Sequence, residues 1–364
     1  MLIGIDASRA FLKRRTGIEE YAYQTIKHLR GVVSETDTVF LYVRKKLAIR
    51  RIAGIPEIDF KLPKNWKVKG IWAPRFWTQL ALSWEMFWNR PDVLFVPAHT
   101  VPFIHPKKTI VTIHGLEYEF CKKGYSFWAR FYMKFFVCFS CRAAETVICV
   151  SENTKRDVMK LYNIPSEKIR VVYEGYVQET KTQNPKIKIP YLLFVGRLET
   201  RKNIVRIIEA FEILKKKYNI PHQLILAGKS GYEYERIRCK IQNSKCNSEI
   251  QEIGYVTEEK KWELLKNADV FLFPTLYEGF GIPVLEAQSV GVPVVASQTS
   301  SLSEVGGEGA IYVDPMSAEN IAEGVQKTLA DREMRNGIIK AGLENVGRFS
   351  WEKCAKEIAT LWNN

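Results

Sequence analysis

The 364-residue sequence carries its clearest chemistry in the run Val195-Gly-Arg-Leu-Glu-Thr-Arg-Lys-Asn203. Gly196 allows a tight turn and a close backbone approach. Arg197 can fork across two oxygens, while Lys202 acts as a mobile point charge. A helix starting near Asn203 would turn its free N–H groups back into the same loop. Together these features suit a diphosphate. A strand-to-helix turn with two solvated cations would look the same in isolation.

A second constellation spans residues 275–286, Thr-Leu-Tyr-Glu-Gly-Phe-Gly-Ile-Pro-Val-Leu-Glu. Gly279 and Gly281 expose backbone amides, and Pro283 suits the first turn of a helix. Amides at a helix start favour an anion or an electron-rich sugar oxygen. Glu278 sits in the loop, and Glu286 lies on the helix between Leu285 and Ala287. An acid in apolar company must be paired or ligated. A carboxylate can accept both hydroxyls of a ribose; an internal ion pair would satisfy it equally.

Two weaker signals fall in the first half. Thr112-Ile-His114-Gly-Leu116 ends a strand pattern, where a histidine can bond a hydroxyl or move a proton. Gly17, in Thr16-Gly-Ile-Glu-Glu20, opens a helix pattern and would let a phosphate approach the backbone, or simply fill a turn. The seven cysteines include one C-x-x-C, Cys138 and Cys141, without a second pair or a nearby histidine. Thiols in a reducing cytoplasm fit better than a zinc or redox centre.

Elements that could hold these residues alternate along the chain. Strand patterns at 2–6, 39–43, 93–96, 109–113, 147–150 and 169–172 bracket helical spacing at Gly17–Leu29 and a helix capped by Ser151. A polar segment, 178–189, breaks the rhythm and reads as a linker. Strands then return at 191–195, 223–227, 250–253, 270–273, 294–296 and 311–313, with helices at 203–218, 258–267, 283–290, 318–329, 332–346 and 351–362. This is the pattern of two doubly wound parallel sheets, whose ligands bind beyond the carboxyl ends of the strands. Every motif above follows such an end.

Composition is that of a globular protein, 46% hydrophobic and 26% charged, and no apolar run is long enough to span a bilayer. The opening Met1-Leu-Ile-Gly-Ile-Asp6 reads as a first strand, not a secretory signal. Net charge is +14. Residues 1–186 hold 31 Lys/Arg against 17 Asp/Glu, whereas residues 187–364 balance at 23 each. The excess therefore points to an anionic partner for the first half. Arg75–Trp88, after Lys61, Lys64, Lys67 and Lys69, mixes aromatic and basic residues as a membrane-surface helix would. Ser126–Arg142 has the same mixture, but core packing with its aromatics inward is the favoured reading there.

At this point the residues resemble a known family. Glu278-Gly-Phe-Gly-Ile-Pro-Val-Leu-Glu286 is similar to the E-x7-E motif of retaining glycosyltransferases of family 4. Gly196-Arg197 with Lys202-Asn203 resembles that family's G-R-x4-K-N loop, and Gly254-Tyr255-Val256 and residues 291–297 also match its usual run. The resemblance is dense from 191 to 315 and looser before 150. Gly4-Ile-Asp-Ala7 and Gly17–Tyr21 look like the start of its mannosyltransferase-type members.

The resemblance implies an α/β, GT-B fold: two doubly wound Rossmann-like domains facing each other across a cleft. The domains would be 1–180 for the acceptor and 187–347 for the nucleotide sugar, with helix 348–364 crossing back. Arg197 and Lys202 would stabilise the leaving diphosphate, Glu286 would hold the ribose and Glu278 the donor sugar. Gly279, Phe280, Gly281 and Ile282 would present amides to sugar or phosphate. Tyr255 and Val256 would line the base, His114 would contact the donor sugar and Gly17 would lie near its phosphate. No cofactor or metal would be needed. Expected partners are a nucleotide sugar, GDP-mannose foremost or a UDP- or dTDP-sugar, and a glycan or lipid-linked acceptor at the inner face of an anionic membrane. Many relatives have His-Asp where this chain has His114-Gly115. A non-catalytic nucleotide-sugar binder is the alternative. An NAD dehydrogenase lacks its G-x-G-x-x-G here, and no nucleic-acid module is recognisable.

Overall fold

The computed structural model describes residues 1–12, 15–45, 47–48, 51–52, 58–73, 76–177 and 189–363. The polar segment read as a linker lies outside these residues but for Ile189, as do residues 13–14 and Arg75. The chain forms two compact units. One comprises Met1–Leu116, Phe131–Gly175 and Phe349–Asn364; the other comprises Glu117–Arg130 and Tyr176–Arg348.

In the first unit the strands are β1 (Leu2–Asp6), β2 (Thr38–Lys45), the short pair β3 (Leu47–Ala48) and β4 (Arg51–Ile52), β5 (Trp66–Trp72), β6 (Val93–Val96), β7 (Lys108–Ile113), β8 (Thr146–Cys149) and β9 (Ile169–Val171). Seven of them form one parallel sheet in the order β5-β2-β1-β6-β7-β8-β9. Its helices are α1 (Gly17–Leu29) and α2 (Ser83–Trp88), the latter preceded by a π-helical turn over Trp77–Leu82. The short α3 (Glu117–Phe120) belongs to the second unit; α4 (Phe127–Ala143) and α5 (Glu152–Tyr162) follow. Ser151 caps α5, accepting from the Thr154 amide at 3.0 Å as its sequence position requires.

The second unit adds β10 (Tyr191–Val195), α6 (Ile204–Tyr218), β11 (Gln223–Ala227), α7 (Tyr234–Gln242), β12 (Ile250–Gly254), α8 (Glu258–Asn267), β13 (Val270–Phe273) and α9 (Ile282–Ser289). It continues with β14 (Val294–Ser297), α10 (Leu302–Gly306), β15 (Ala310–Val313), α11 (Ala318–Ala330) and α12 (Arg332–Asn345). Its parallel sheet runs β12-β11-β10-β13-β14-β15. The central strands are fully buried apolar runs, as a sheet covered on both faces demands. The last helix, α13 (Trp351–Asn363), packs on α1 in the first unit, burying Trp351, Cys354, Ile358 and Trp362.

Both sheets reverse their strand order once, between β1 and β6 and between β10 and β13. Such switch points are where the loops after neighbouring strands diverge and leave room for a ligand. In the second unit the loops after β10 and β13 are the two that carry the basic and acidic motifs.

Besides the short β3, β4, α3 and α10, two longer elements escape the pattern reading, and one reading is reversed. β5 is an edge strand in which Lys67 and Lys69 alternate with Trp66 and Val68 for only four residues before Gly70, and lysines on an edge strand are a usual protection of sheet edges. α7 is polar almost all round, with Ile237 its one buried residue. The aromatics of α4 do not pack inward: Phe127 is 70% exposed, Trp128 75% and Phe131 59%. The helix buries Val137, Ser140 and Cys141 instead. Spacing marks a helix face; it does not say which way an aromatic face points.

Candidate active site

Three adjacent strands of the second sheet, β10, β11 and β12, end on glycines, Gly196, Gly228 and Gly254. Gly196 donates to the Ala227 carbonyl at 2.9 Å and Gly228 to the Gly254 carbonyl at 2.7 Å. The approach is so close that a Cβ on Gly228 (φ +151°) would lie 1.7 Å from the Gly196 oxygen. The turn after β10 can therefore fold tightly over the strand ends before the chain enters a single 3-10 turn, Thr200–Lys202. Asn203 (φ 62°) then starts α6 without capping it; its amide bonds the carbonyls of Pro274 and Pro315 instead, at 2.9 and 2.7 Å. That side chain ties the basic loop to the start of the acidic one.

Glu278 is the focus of this loop pair. Lys202 and Arg201 both donate to its Oε1, Arg201 at 3.1 Å. Arg201 also reaches the Tyr277 carbonyl and the Glu199 carboxylate, each at 3.0 Å. All three charged groups are largely buried, with side-chain exposures of 11% for Lys202 and Glu278 and 18% for Arg201. Burial by itself would raise the Glu278 pKa, but the charges of Lys202 and Arg201 outweigh it and hold the carboxylate below its ordinary value. The guanidinium, desolvated but faced by Glu278, Glu117 and Glu199, is held above its ordinary value.

Serines from the loop after β14 fix the Glu278 backbone. Ser300 Oγ accepts from the Glu278 amide at 3.0 Å, and Ser301 Oγ donates to the carbonyls of Glu278 and Phe280 at 2.9 and 2.7 Å. Gly281 (φ +116°) starts α9 at a point where a Cβ would meet Leu302 at 2.6 Å. The run Gly279-Phe280-Gly281-Ile282 is thus pinned around a helix N-terminus, where anions are favoured. Glu286, 7% exposed, sits in the second turn of α9. Lys261 donates to its Oε1 at 2.6 Å, so the buried acid does have an internal cation. Burial alone would lower Lys261; Glu286 and Glu258 outweigh it and keep the ammonium above its ordinary value.

The remaining residues singled out in the sequence lie farther from this cluster or in the other unit. Arg197, in the turn after β10, is exposed. Tyr255 is 58% exposed, with Lys229 4.6 Å from its ring centre, and Val256 packs on the core. In the first unit His114 ends β7 and is locked between the Pro97 carbonyl (Nε2, 2.8 Å) and the Glu174 carboxylate (Nδ1, 3.1 Å). Tyr21 packs edge-on against its ring at 4.5 Å. Both ring nitrogens therefore have a protein oxygen within hydrogen-bond distance. Gly17 opens α1 with no atom within 4 Å of a hypothetical Cβ. Packing does not require a glycine there.

Sequence reasoning passed over Arg201, Glu199, Ser300 and Ser301. Arg201 stands one residue from Lys202 and looked like any solvated cation. The paired serines of Gln298-Thr-Ser-Ser-Leu302 were the one available signal, since adjacent hydroxyls after a strand suit loop clamping. Among the described residues, no cluster of three or more His, Cys, Asp or Glu side chains could hold a metal ion, and every described cysteine is free.

Comparison with known proteins follows the two-unit division. Residues 15–179 match the family model "Glycosyltransferase Family 4", and residues 177–345 match "Glycosyl transferases group 1". The chain is 28% identical to O-antigen chain mannosyltransferase B of Escherichia coli over 262 residues, 69% of each chain. It is 25% identical to O-antigen chain mannosyltransferase RfbU of Salmonella typhimurium over 309 residues, 83% of this chain and 84% of that one. The crystal structure of WaaG, a glycosyltransferase involved in lipopolysaccharide biosynthesis, superposes with a TM-score of 0.73 at 15% identity, over 99% of this chain and 98% of that one. The basic and acidic loops at one switch point, the fold and the paired family matches together make this chain a GT-B glycosyltransferase of the family 4 type.

Proposed function

We propose that the chain transfers mannose from GDP-mannose, with retention, to a lipid-linked or polysaccharide acceptor in cell-surface glycan synthesis. The mannosyltransferase relatives support the sugar. The observation that carries the chemistry is the Lys202–Glu278–Arg201 cluster. Both cations use Oε1 of Glu278, and no protein donor bonds its Oε2 among the described residues. That oxygen can accept from a donor-sugar hydroxyl while the cluster stays intact. An ammonium has three N–H donors, so Lys202 can keep Glu278 and still hold a phosphate oxygen.

Charge builds on the diphosphate as the glycosidic bond breaks. Arg197 and Lys202 stabilise it more in the transition state than in the ground state. The acceptor attacks from the face the diphosphate leaves, and a phosphate oxygen takes its proton, so no enzymatic nucleophile is invoked. Glu286 accepts from the ribose hydroxyls while Lys261 stays on its Oε1. Tyr255 and Val256 line the base, and the amides of residues 279–282 meet sugar or phosphate. Gly17 leaves its helix start open to a phosphate. His114 meets the sugar by exchanging one of its two present acceptors. Helix starts and side-chain cations replace a metal, so turnover continues in EDTA.

The aromatic surface supports a membrane-bound acceptor. Trp84, Phe87 and Trp88 of α2 and Phe127, Trp128, Phe131 and Phe135 of α4 are each more than half exposed. Set beside the basic excess of residues 1–186, they suit an anionic leaflet. No helix among the described residues is long and apolar enough to cross a membrane. The reading places the protein on the cytoplasmic face of the membrane.

Nucleotide release from GDP-mannose, compared with UDP- and dTDP-sugars, tests the donor; the anomeric NMR signal of the product tests retention. Lys202→Ala should lower kcat/KM by roughly a hundredfold, about 3 kcal/mol. Unchanged turnover in a folded Lys202→Ala/Arg197→Ala protein would remove the site assignment.

A further inference from the structure

The first unit has a charged recess at the end of its strands opposite His114. It is an open depression of about 650 Å³ lined by three separate stretches of chain. Lys27, Arg30 and the turn after them end α1; Lys61 to Lys64 precede β5; Lys356 lies on α13. Since α1 returns antiparallel to the strands and β5 begins just after Lys64, the recess sits at the amino ends of the strands. Ligands of the main reaction belong at the carboxyl ends.

Five cationic side chains, Lys27, Arg30, Lys61, Lys64 and Lys356, line it against one carboxylate, Glu352. Glu352 is already engaged, 3.2 Å from His28 Nε2. Arg30 is held rigid: Nε bonds the Lys27 carbonyl at 2.8 Å, Nη1 bonds the Lys61 carbonyl at 2.6 Å, and the guanidinium lies 4.2 Å from the centre of the Phe60 ring. Among the described residues, no acceptor takes its Nη2 donors. Cations at the end of α1 alone would be the ordinary complement to a helix dipole. The dipole does not explain why two further segments, distant in sequence, bring three more lysines to the same place. Like charges gathered without counter-ions cost free energy unless an anion joins them.

We infer that this recess is an anion site for a phosphate-bearing ligand, with Arg30 as the preorganised fork and the four lysines as point charges. It is separate from the donor site and does not depend on the donor reading. Two sources could present the same chemistry: a soluble phosphate compound or the headgroup of an anionic phospholipid.

The test uses the full chain, with inorganic pyrophosphate as the probe in calorimetric titration. Lys202→Ala removes competing binding at the donor loop. On that background, Lys61→Ser/Lys64→Ser/Lys356→Ser should weaken pyrophosphate binding roughly tenfold or more, and the matching triple Lys→Arg variant should retain it. The three lysines are exposed, so folding, checked by circular dichroism, should be unchanged. In parallel, flotation compares both proteins on phosphatidylglycerol vesicles. Loss of flotation with the triple Ser variant assigns the site to a lipid headgroup; loss of pyrophosphate binding alone assigns it to a soluble phosphate. Equal pyrophosphate affinity and equal flotation of the parent and the triple Ser variant overturn the inference.

Discussion

Glu278 carries two cations on one oxygen, and that arrangement has consequences beyond chemistry. Replacing it by Gln leaves Lys202 and Arg201 buried without their shared counter-charge. Breaking such a buried pair costs about 3–5 kcal/mol, so Glu278→Gln should lower the thermal midpoint as well as kcat/KM. The pH dependence has a definite sign. The folded pKa of Glu278 is depressed, so its contribution to stability is full above the ordinary carboxylate range and disappears as pH falls through the depressed value. Denaturant unfolding from pH 7 down to pH 3 should show a steeper acid loss for the parent than for Glu278→Gln; parallel profiles would contradict the ion-pair account. At this scale the sequence was partly legible. Residue types and motif spacing exposed Lys202, Glu278 and Glu286. Arg201 was not legible, because only the fold shows which basic residue of a loop turns inward. The Lys261 contact to Glu286 was foreseeable as a class of partner but not as a residue, since α8 and α9 meet only in three dimensions.

Elements were easier to read than their orientations. Strands 2–6, 93–96, 191–195, 223–227 and 270–273 have the bounds their apolar runs suggest, because strands buried on both faces need no alternation to be recognised. Edge elements were lost for the opposite reason: β5 and α7 owe their shape to neighbours, not to a strong pattern of their own. Two glycines test what positions the loops. Gly228→Ala places a Cβ against the Gly196 oxygen in a left-handed conformation. It should cost about 3 kcal/mol or more, read as a fall in thermal midpoint with loss of turnover. Gly17→Ala meets no neighbour within 4 Å. Its stability should be unchanged or higher by up to about 1 kcal/mol, while kcat/KM falls if a phosphate uses that opening. A fully active Gly17→Ala enzyme would assign Gly17 to the turn alone.

For the whole molecule, charge and aromatic surface act together. Flotation of the purified protein on phosphatidylglycerol vesicles should be strong at low salt and fall steeply towards 0.5 M, since screening shortens to a few ångströms (~4 Å) there. Trp84→Ser/Trp88→Ser/Trp128→Ser should reduce flotation at low salt without altering turnover on a soluble acceptor. Binding insensitive to both salt and these substitutions would rule out the membrane reading. The two-unit division was legible from the restart of the strand rhythm. The transfer of Glu117–Arg130 to the second unit was not, because no composition change marks it.

The placement of α13 bears on how the protein is made. The first unit needs residues 349–363, whose Trp351 and Trp362 are almost wholly buried, so it cannot close when Gly175 leaves the ribosome. At about 5–20 residues per second, roughly 10–35 s of translation separate Gly175 from α13. The second unit is finished first, although its sequence comes later. Through that interval the nascent first unit shows the apolar side of α1, and a chaperone that binds such surfaces would have its longest opportunity there.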